Sequence, residues 1–184
     1  SDVYKRQGAG GETPTTPTNP TTPSSITASD DAYVYDGSNA SSNFGTGNGL
    51  AVKKGGTGYN RQAYLKFDIS SLTSVSTAKL LLSANLNTAD SVQLAVFGVS
   101  DTGWSETGMT WNNKPATTGG AIGTAVVSST SVTQIEIDLT AYVQQAIAAG
   151  KTSITLNLQG TSSSTAFINI ASRESGAGPA LVFG

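Results

Sequence analysis

The sequence predicts an all-β fold, namely an antiparallel β-sandwich with one short helix. About ten short segments alternate apolar and polar side chains, which is the period of a strand with one buried face. Gly, Asn and Ser interrupt these segments at short intervals, as expected for the turns of an antiparallel sheet. One stretch near residue 140 has helical spacing instead.

The first 25 residues are not expected to join this fold. The leader SDVYKRQ, residues 1–7, differs in style from the rest, and we interpret it as a read-through or assembly artefact. Residues 8–25 hold four of the six prolines among many threonines, and such a segment cannot bury a core. We interpret it as an extended linker, or else a tail of no consequence, and place the module at residues 26–184.

The strands follow from the alternation of side chains. In YLKFDI, for example, Leu65, Phe67 and Ile69 are expected to face the core, with polar side chains opposite. The predicted strands are Ala32–Tyr35, Gly49–Lys53, Gln62–Asp68, Thr77–Ala84, Val92–Val99, Ile122–Val127, Thr133–Asp138, Ser153–Leu158, Phe167–Ala171 and Ala180–Phe183.

The helix is predicted from Thr140 to the glycine at Gly150. Asp138 or Thr140 is expected to cap its start, and Gly150 can adopt the conformation that ends a helix. Both Asp68 and Asp138 end a strand and precede Ser or Thr, so we expect each to accept backbone N–H bonds from the following turn. We interpret them as structural rather than catalytic acids.

Composition excludes several classes of function. Only 12% of the 184 residues are charged, about half the usual fraction, and the net charge of −2 attracts neither nucleic acid nor an anionic membrane. With no histidine and no cysteine there is no imidazole base, thiolate or ordinary zinc site. No apolar run approaches the roughly 18 residues of a membrane helix.

Against this low charge, four cations cluster in one predicted hairpin. They are Lys53, Lys54, Arg61 and Lys66. Arg can clamp a carboxylate with two parallel hydrogen bonds and Lys supplies a point charge, so the set suits an acidic polysaccharide. Tyr59 offers a ring for a sugar and Asn60 a hydrogen-bonding amide.

The sequence allows alternative interpretations of this hairpin. If Phe67 is core, Lys66 shares the outer face with Tyr64, and Arg61 then either faces inward or sits at the turn. The cations are alternatively a solvated edge that discourages aggregation.

Other aromatic and polar residues are secondary candidates. Trp104 and Trp111, in GWSETGMTWNNKP, either stack on sugars or anchor a long loop on the core, and we favour the anchor. Glu106 is expected to cap that loop, and Asn112 lies near its exit as a possible ligand contact. Arg173, in SRESG, is either a further ligand cation or an ion-pair partner of neighbouring acids such as Asp31.

Three aspartates near the first strand suggest a metal. Asp30, Asp31 and Asp36, together with backbone carbonyls, offer the oxygen ligands that Ca²⁺ prefers. Their spacing is not that of an EF-hand. We therefore expect no catalytic cofactor and consider one structural Ca²⁺ as the only metal.

Five segments in order resemble a known family of modules. They are DDAYVYDGSNASSNFGTGNGLAVKKG, GYNRQAYLKFDISSL, VFGVSDTGWSETGMTWNNKP, IDLTAYVQQAIAAGKTSITLNL and SRESGAGPALVF. Together they resemble carbohydrate-binding module family 96, also called the DNRLRE domain, over about residues 28–184.

The resemblance implies a jelly-roll topology and a non-catalytic role. It implies attachment to a secreted bacterial polysaccharide lyase or hydrolase, or to a cell-surface protein, and alginate as the first ligand to consider. A lyase built on Tyr59 or Tyr64 with Arg61 is chemically conceivable, but the acids are scattered and we predict no enzyme. We expect a monomer without nucleic-acid partners; the alternative is an adhesion module with no specific glycan.

Overall fold

The computed structural model describes residues 23–184, which form two facing antiparallel sheets and one short helix. The leader and most of the predicted linker lie outside the described residues. The strands are β1 (Ser25–Thr27), β2 (Asp30–Tyr35), β3 (Gly49–Val52), β4 (Arg61–Asp68), β5 (Ala78–Leu86), β6 (Val92–Val99), β7 (Thr117–Val127), β8 (Thr133–Asp138), β9 (Ser153–Gly160), β10 (Ile168–Ala171) and β11 (Ala180–Phe183). The helix α1 spans Thr140–Ala148. No helix in residues 23–184 has the length and apolarity needed to cross a membrane.

Strands that are neighbours in a sheet are mostly distant in sequence. The five-stranded sheet has the order β2-β4-β9-β6-β7. In the six-stranded sheet β5 is central, with β8 along one edge and both β11 and β10 along the other. β1 extends the sheet beyond β11, and β3 extends it beyond β10. This interleaved connectivity confirms the predicted jelly-roll sandwich.

The core between the sheets follows the predicted alternation. Leu65, Phe67 and Ile69 are buried there, as are Ile137 and Leu139 at the end of β8. Burying each of these side chains contributes about 1.5–3 kcal/mol relative to leaving it in water. The ten predicted strands are all present. The short strand β1, at the boundary with the linker, was not predicted.

The helix and its caps are also as predicted. The Asp138 carboxylate accepts the Thr140 N–H at 2.8 Å, and the Asp68 carboxylate accepts the Ser70 N–H at 2.9 Å. Gly150 has a φ of 68°, a left-handed conformation that follows the helix end and favours glycine. The helix buries Val143 and Ala146 against the sandwich core.

One prediction about the outer face of β4 was wrong. Tyr64 is only 1% exposed, because the long loop between β6 and β7 covers this part of the sheet. Tyr64 packs there with Met109 in a second, smaller core, and its hydroxyl donates to the Pro115 carbonyl. Burial raises the pKa of Tyr64 far above its ordinary value. The face that alternation assigns to solvent is therefore partly interior.

Candidate functional site

The basic hairpin, residues 53–61, lies where the chain leaves one sheet and joins the other. β3 belongs to the six-stranded sheet, but Lys53, just after it, exchanges two backbone hydrogen bonds with Arg61 of β4, each 2.9 Å long. Arg61 is also opposite Tyr35 of β2. Directly opposed residues of antiparallel strands project to the same face, so Tyr35, Arg61 and Lys53 form a row at this corner of the sandwich.

Asp36 and Asn60 hold the turn of this hairpin together. The buried Asp36 carboxylate accepts the Gly58 N–H at 3.0 Å, the Asn60 N–H at 2.7 Å and the Asn60 side-chain amide at 2.7 Å. Asn60 in turn accepts the Gly55 N–H. Burial alone would raise the pKa of Asp36, but these hydrogen bonds outweigh it and lower that pKa below its usual value. Asn60 is thus engaged within the protein.

The two lysines rest against a neighbouring loop. Lys53 Nζ donates to the Thr165 carbonyl and Lys54 Nζ to the Thr161 carbonyl, each at 3.0 Å. An ammonium has three N–H bonds, so each lysine keeps donors for a ligand. Neither lysine forms an ion pair with a carboxylate of residues 23–184.

Arg61 lies between two aromatic rings. Its guanidinium carbon is 4.3 Å from the centre of the Tyr35 ring and 4.9 Å from that of Phe167. Such contacts orient the guanidinium without neutralising its charge, because an aromatic ring is uncharged. Within the described part of the chain, Arg61 has no carboxylate in ion-pair contact.

A cleft of about 320 Å³ opens beside Arg61, between the edge strands β2 and β3; we call it the side cleft. Its walls carry four aromatic rings, one guanidinium and two amides, from Tyr33, Tyr35, Phe44, Phe167, Arg61, Asn39 and Asn169. Tyr33 and Phe44 stack with ring centres 4.6 Å apart. Flat rings with a few polar groups are the lining expected of a small-ligand site.

Lys66 does not belong to this group. It lies five residues along β4 from Arg61, about 17 Å away, and its ammonium is 3.3 Å from the Asp30 carboxylate. It also donates to the Trp104 carbonyl and lies over the Trp104 ring, at 4.6 Å. The predicted grid of four cations therefore becomes a group of three, and Lys66 instead secures the long loop.

Tyr59 stands at the tip of the hairpin turn and is 61% exposed. Trp104 and Trp111, the other predicted ligand rings, are half-buried, so Tyr59 is the most accessible of the three. Gly58 precedes it with a φ of 88°, which a side chain would disfavour, so the turn presents Tyr59 in a fixed place.

The two tryptophans lie on the loop between β6 and β7, and both have structural contacts. Trp104 donates its indole N–H to the Thr155 hydroxyl at 3.0 Å and packs edge-on against Tyr64. Trp111 is covered by the Lys114 ammonium, 3.9 Å from its ring centre. These contacts favour the anchoring interpretation over the stacking one.

Asn112 connects the loops on either side of the second core. Its backbone N–H donates to the Ala40 carbonyl at 3.1 Å, and its side-chain amide donates to the Ser41 hydroxyl at 3.1 Å. Neither of these hydrogen bonds involves a residue of the basic hairpin.

Arg173 lies in a separate group of charges at the start of β2. Its guanidinium contacts both Glu106 oxygens, at 2.9 and 2.8 Å, and one Glu174 oxygen at 3.4 Å. The guanidinium forms no ion pair with Asp31, the partner that the sequence suggested; instead the Arg173 backbone N–H donates to the Asp31 carboxylate at 2.8 Å. Glu106, expected to cap its own loop, instead pairs with Arg173.

The three aspartates predicted to bind a metal do not come together. Asp30 pairs with Lys66, and Asp36 holds the hairpin turn at the other end of β2. In residues 23–184, the acidic group with metal-like spacing comprises Asp31, Glu106 and Glu174, which offer oxygens within 4.8 Å of one another. Only Asp31 is shared with the predicted set.

The aromatic residues that line the side cleft were not predicted from the sequence. Tyr35 and Phe167 are at strand ends, and nothing local in YVYD or AFINI indicates that both contact the same arginine. The sequence contained one signal for the position of Arg61. In a strand, every second residue lies on the same face, so Arg61 shares a face with the core residues Ala63 and Leu65. Arg61 both closes the hairpin turn opposite Lys53 and directs its guanidinium between the Tyr35 and Phe167 rings.

Comparison with known proteins gives the family. The chain matches the model of carbohydrate-binding module family 96 over residues 22–183. It is also similar to a gellan lyase of Bacillus sp., with 32% identity over 108 residues. That similarity covers 56% of this chain but 4% of the gellan lyase, so the chain spans a small fraction of that protein's length.

Two solved structures of carbohydrate-binding modules are similar at low TM-score. One is a family 36 module in complex with calcium and xylotriose, with a TM-score of 0.35 and 9% identity over 73% of this chain and 88% of that one. The other contains the CBM22-1 and GH10 modules of endo-1,4-beta-D-xylanase 10B from Clostridium thermocellum, complexed with xylohexaose. Its TM-score is 0.36, with 14% identity over 84% of this chain and 29% of that one.

With TM-scores this low, neither structure defines a site for this chain. The family match, in contrast, spans every strand of the sandwich and the whole basic hairpin. The prediction of a non-catalytic module is confirmed, and the chain belongs to carbohydrate-binding module family 96.

Proposed function

We propose that this module binds an acidic polysaccharide, alginate first, through the basic hairpin and the adjoining side cleft. In the full-length protein it would direct a covalently attached polysaccharide lyase or hydrolase to that polysaccharide, outside the cell or at its surface. The observation that carries the proposal is the charge pattern. Lys53 is opposite Arg61 and Lys54 follows it in the chain, and none of the three has an ion-pair partner in residues 23–184.

The other cations show why this pattern is informative. Lys66, Lys79 and Arg173 each lie within 4.0 Å of a carboxylate. Lys114 and Lys151 also lack an ion pair in residues 23–184, but Lys114 lies over the Trp111 ring and Lys151 is the one cation of its segment. The hairpin differs because it holds three unpaired cations, so an external carboxylate is the natural counter-ion there. The Arg61 guanidinium can bind one carboxylate with two hydrogen bonds, while Lys53 and Lys54 add point charges.

The aromatic rings supply the second part of recognition. Tyr59 is exposed beside the cations, and the rings of the side cleft lie on the other side of Arg61. A sugar ring has apolar C–H faces that can pack on such rings, while its hydroxyls reach the Asn39 and Asn169 amides. Since each exposed charge contact contributes only about 0.2–1 kcal/mol, affinity should be modest and should depend on several contacts at once.

Native gels containing a polysaccharide test this proposal. We expect alginate to retard the protein, neutral dextran not to, and retardation to weaken with added salt because exposed charges are screened over about 10 Å at 0.1 M. The double variant Lys54→Ala/Arg61→Ala should lose retardation, about a tenfold or greater loss of affinity. The charge-matched control Lys79→Ala/Lys151→Ala removes two exposed cations elsewhere and should behave as the parent.

The same gels separate the competing interpretations. Retardation by gellan but not alginate would keep the site and change the ligand, in line with the similarity to a gellan lyase. Absence of retardation by either polyanion would overturn the proposal and favour an adhesion module in which Lys53 and Lys54 serve only to hold the loop at residues 161–165. An equal loss of retardation in both double variants would mean that binding depends on the net charge of the protein and not on the basic hairpin.

A further inference from the structure

We propose that Asp31, Glu106 and Glu174 form a Ca²⁺ site that joins three separate segments of the chain. Each residue offers a carboxylate oxygen within 4.8 Å of the other two. Asp31 is at the start of β2, Glu106 in the loop between β6 and β7, and Glu174 in the 3-10 turn Arg173–Ser175 before β11. We call this group the carboxylate cluster; it is separate from the basic hairpin.

The unsatisfied oxygen of Asp31 is the observation that points to a ligand. Asp31 has 0% exposure, its Oδ2 accepts the Arg173 N–H, and its Oδ1 is buried without any hydrogen-bond partner. A buried carboxylate oxygen without a partner is costly, because it has lost water and gained nothing in return. A cation bound to the cluster would supply the missing partner.

The net charge of the carboxylate cluster is suited to a divalent cation. Three carboxylates and the single guanidinium of Arg173 leave two negative charges when all are ionised. A divalent cation would balance this charge, and Arg173 need not leave because each carboxylate oxygen has two lone pairs.

The donor chemistry selects calcium among divalent ions. All donors in the cluster are oxygens, and the chain has neither the histidine nor the cysteine that zinc and copper favour. Carboxylates brought from three distant segments make an irregular cage, which Ca²⁺ tolerates with its six to eight flexible ligands, whereas Mg²⁺ requires a near-ideal octahedron.

The experiment measures calcium binding by the EDTA-treated, desalted full chain with no polysaccharide present. Isothermal titration calorimetry should show one saturable site for Ca²⁺. Thermal unfolding should shift upward by about 5–10 °C at a hundredfold excess of Ca²⁺ over its dissociation constant, and Mg²⁺ should shift it less. Because no glycan takes part, this outcome is independent of the proposed polysaccharide binding.

Three variants make the assignment specific. Glu174→Gln changes an exposed side chain and should fold normally but weaken Ca²⁺ binding about tenfold or more. Asp31→Asn, an isosteric change that removes the buried charge, should abolish the calcium-dependent shift. Glu136→Gln, an exposed control that pairs with Lys79, should bind as the parent does. Absence of a Ca²⁺ signal in the parent, equal stabilisation by Mg²⁺, or unchanged affinity in Glu174→Gln would overturn the proposal.

Discussion

The substitution Asp36→Ala should lower the free energy of unfolding by about 2–4 kcal/mol, because it leaves several buried or half-buried donors without their charged acceptor. The lost contacts are the two backbone N–H bonds from Gly58 and Asn60 and the Asn60 amide. Urea denaturation measures the effect. The same variant should lose retardation by alginate, since the turn that presents Tyr59 between Lys54 and Arg61 would no longer be fixed.

Asp68→Ala is the matched control for Asp36→Ala. Its carboxylate also accepts a turn N–H, from Ser70, but it is exposed, so we expect a loss of about 1 kcal/mol or less and unchanged retardation. If Asp36→Ala is no more destabilising than Asp68→Ala, the turn does not depend on the buried carboxylate.

The acid limb of stability gives a second measure of Asp36. Its pKa in the folded protein is lowered, so its carboxylate stabilises the fold above the unfolded value of about 3.9, and this contribution is lost as the pH falls through the folded pKa. Asp68, Asp90 and Asp138 also have lowered pKa values. The quantity to compare is therefore the difference in free energy of unfolding between the parent and Asp36→Ala. This difference should become smaller as the pH falls below about 4.

The substitution Trp104→Ala should destabilise the module by about 3 kcal/mol while leaving polysaccharide binding intact below the melting temperature. Removing the indole takes away the hydrogen bond to Thr155, the edge contact with Tyr64 and the ring beneath the Lys66 ammonium. Differential scanning calorimetry and the alginate gels measure the two properties separately.

Trp104→Phe separates packing from hydrogen bonding. A phenyl ring still covers Tyr64 but cannot donate to Thr155, so we expect a loss of about 1 kcal/mol. A Trp104→Ala protein that stays as stable as the parent but no longer binds alginate would contradict the anchoring role. Trp104 would then be a sugar platform.

Local sequence patterns predicted the sandwich because strand alternation and turn residues are local properties. The helix and the two strand-ending aspartates were predictable for the same reason, since an Asp and the turn it caps are two residues apart. Tyr64 was not predictable, because its burial is produced by a loop from elsewhere in the chain. Alternation shows which residues share a face but not what covers that face.

The sequence predicted that the candidate site is basic and aromatic, but not which residues belong to it. The sequence identified the cations, yet the ion pair of Lys66 with Asp30 depends on the register between β2 and β4. The Phe167 ring reaches Arg61 only because β10 pairs with β3 in the other sheet. Contacts of this kind depend on topology, and a single sequence contains no local record of them.

The pairing of β1 with β11 has a consequence for how the module is tethered. Val182, next to Ser25, is opposite Lys79 at the start of β5, whereas Val52 connects through Ile168 to Leu86 at its end. These positions are about 23 Å apart along the strand. β1 runs parallel to β5, and β11 runs antiparallel to it, so polypeptide arriving at Ser25 or departing after Phe183 does so at the pole remote from the cations. A domain attached at that end would leave the opposite end, which carries the basic hairpin, accessible to a polysaccharide.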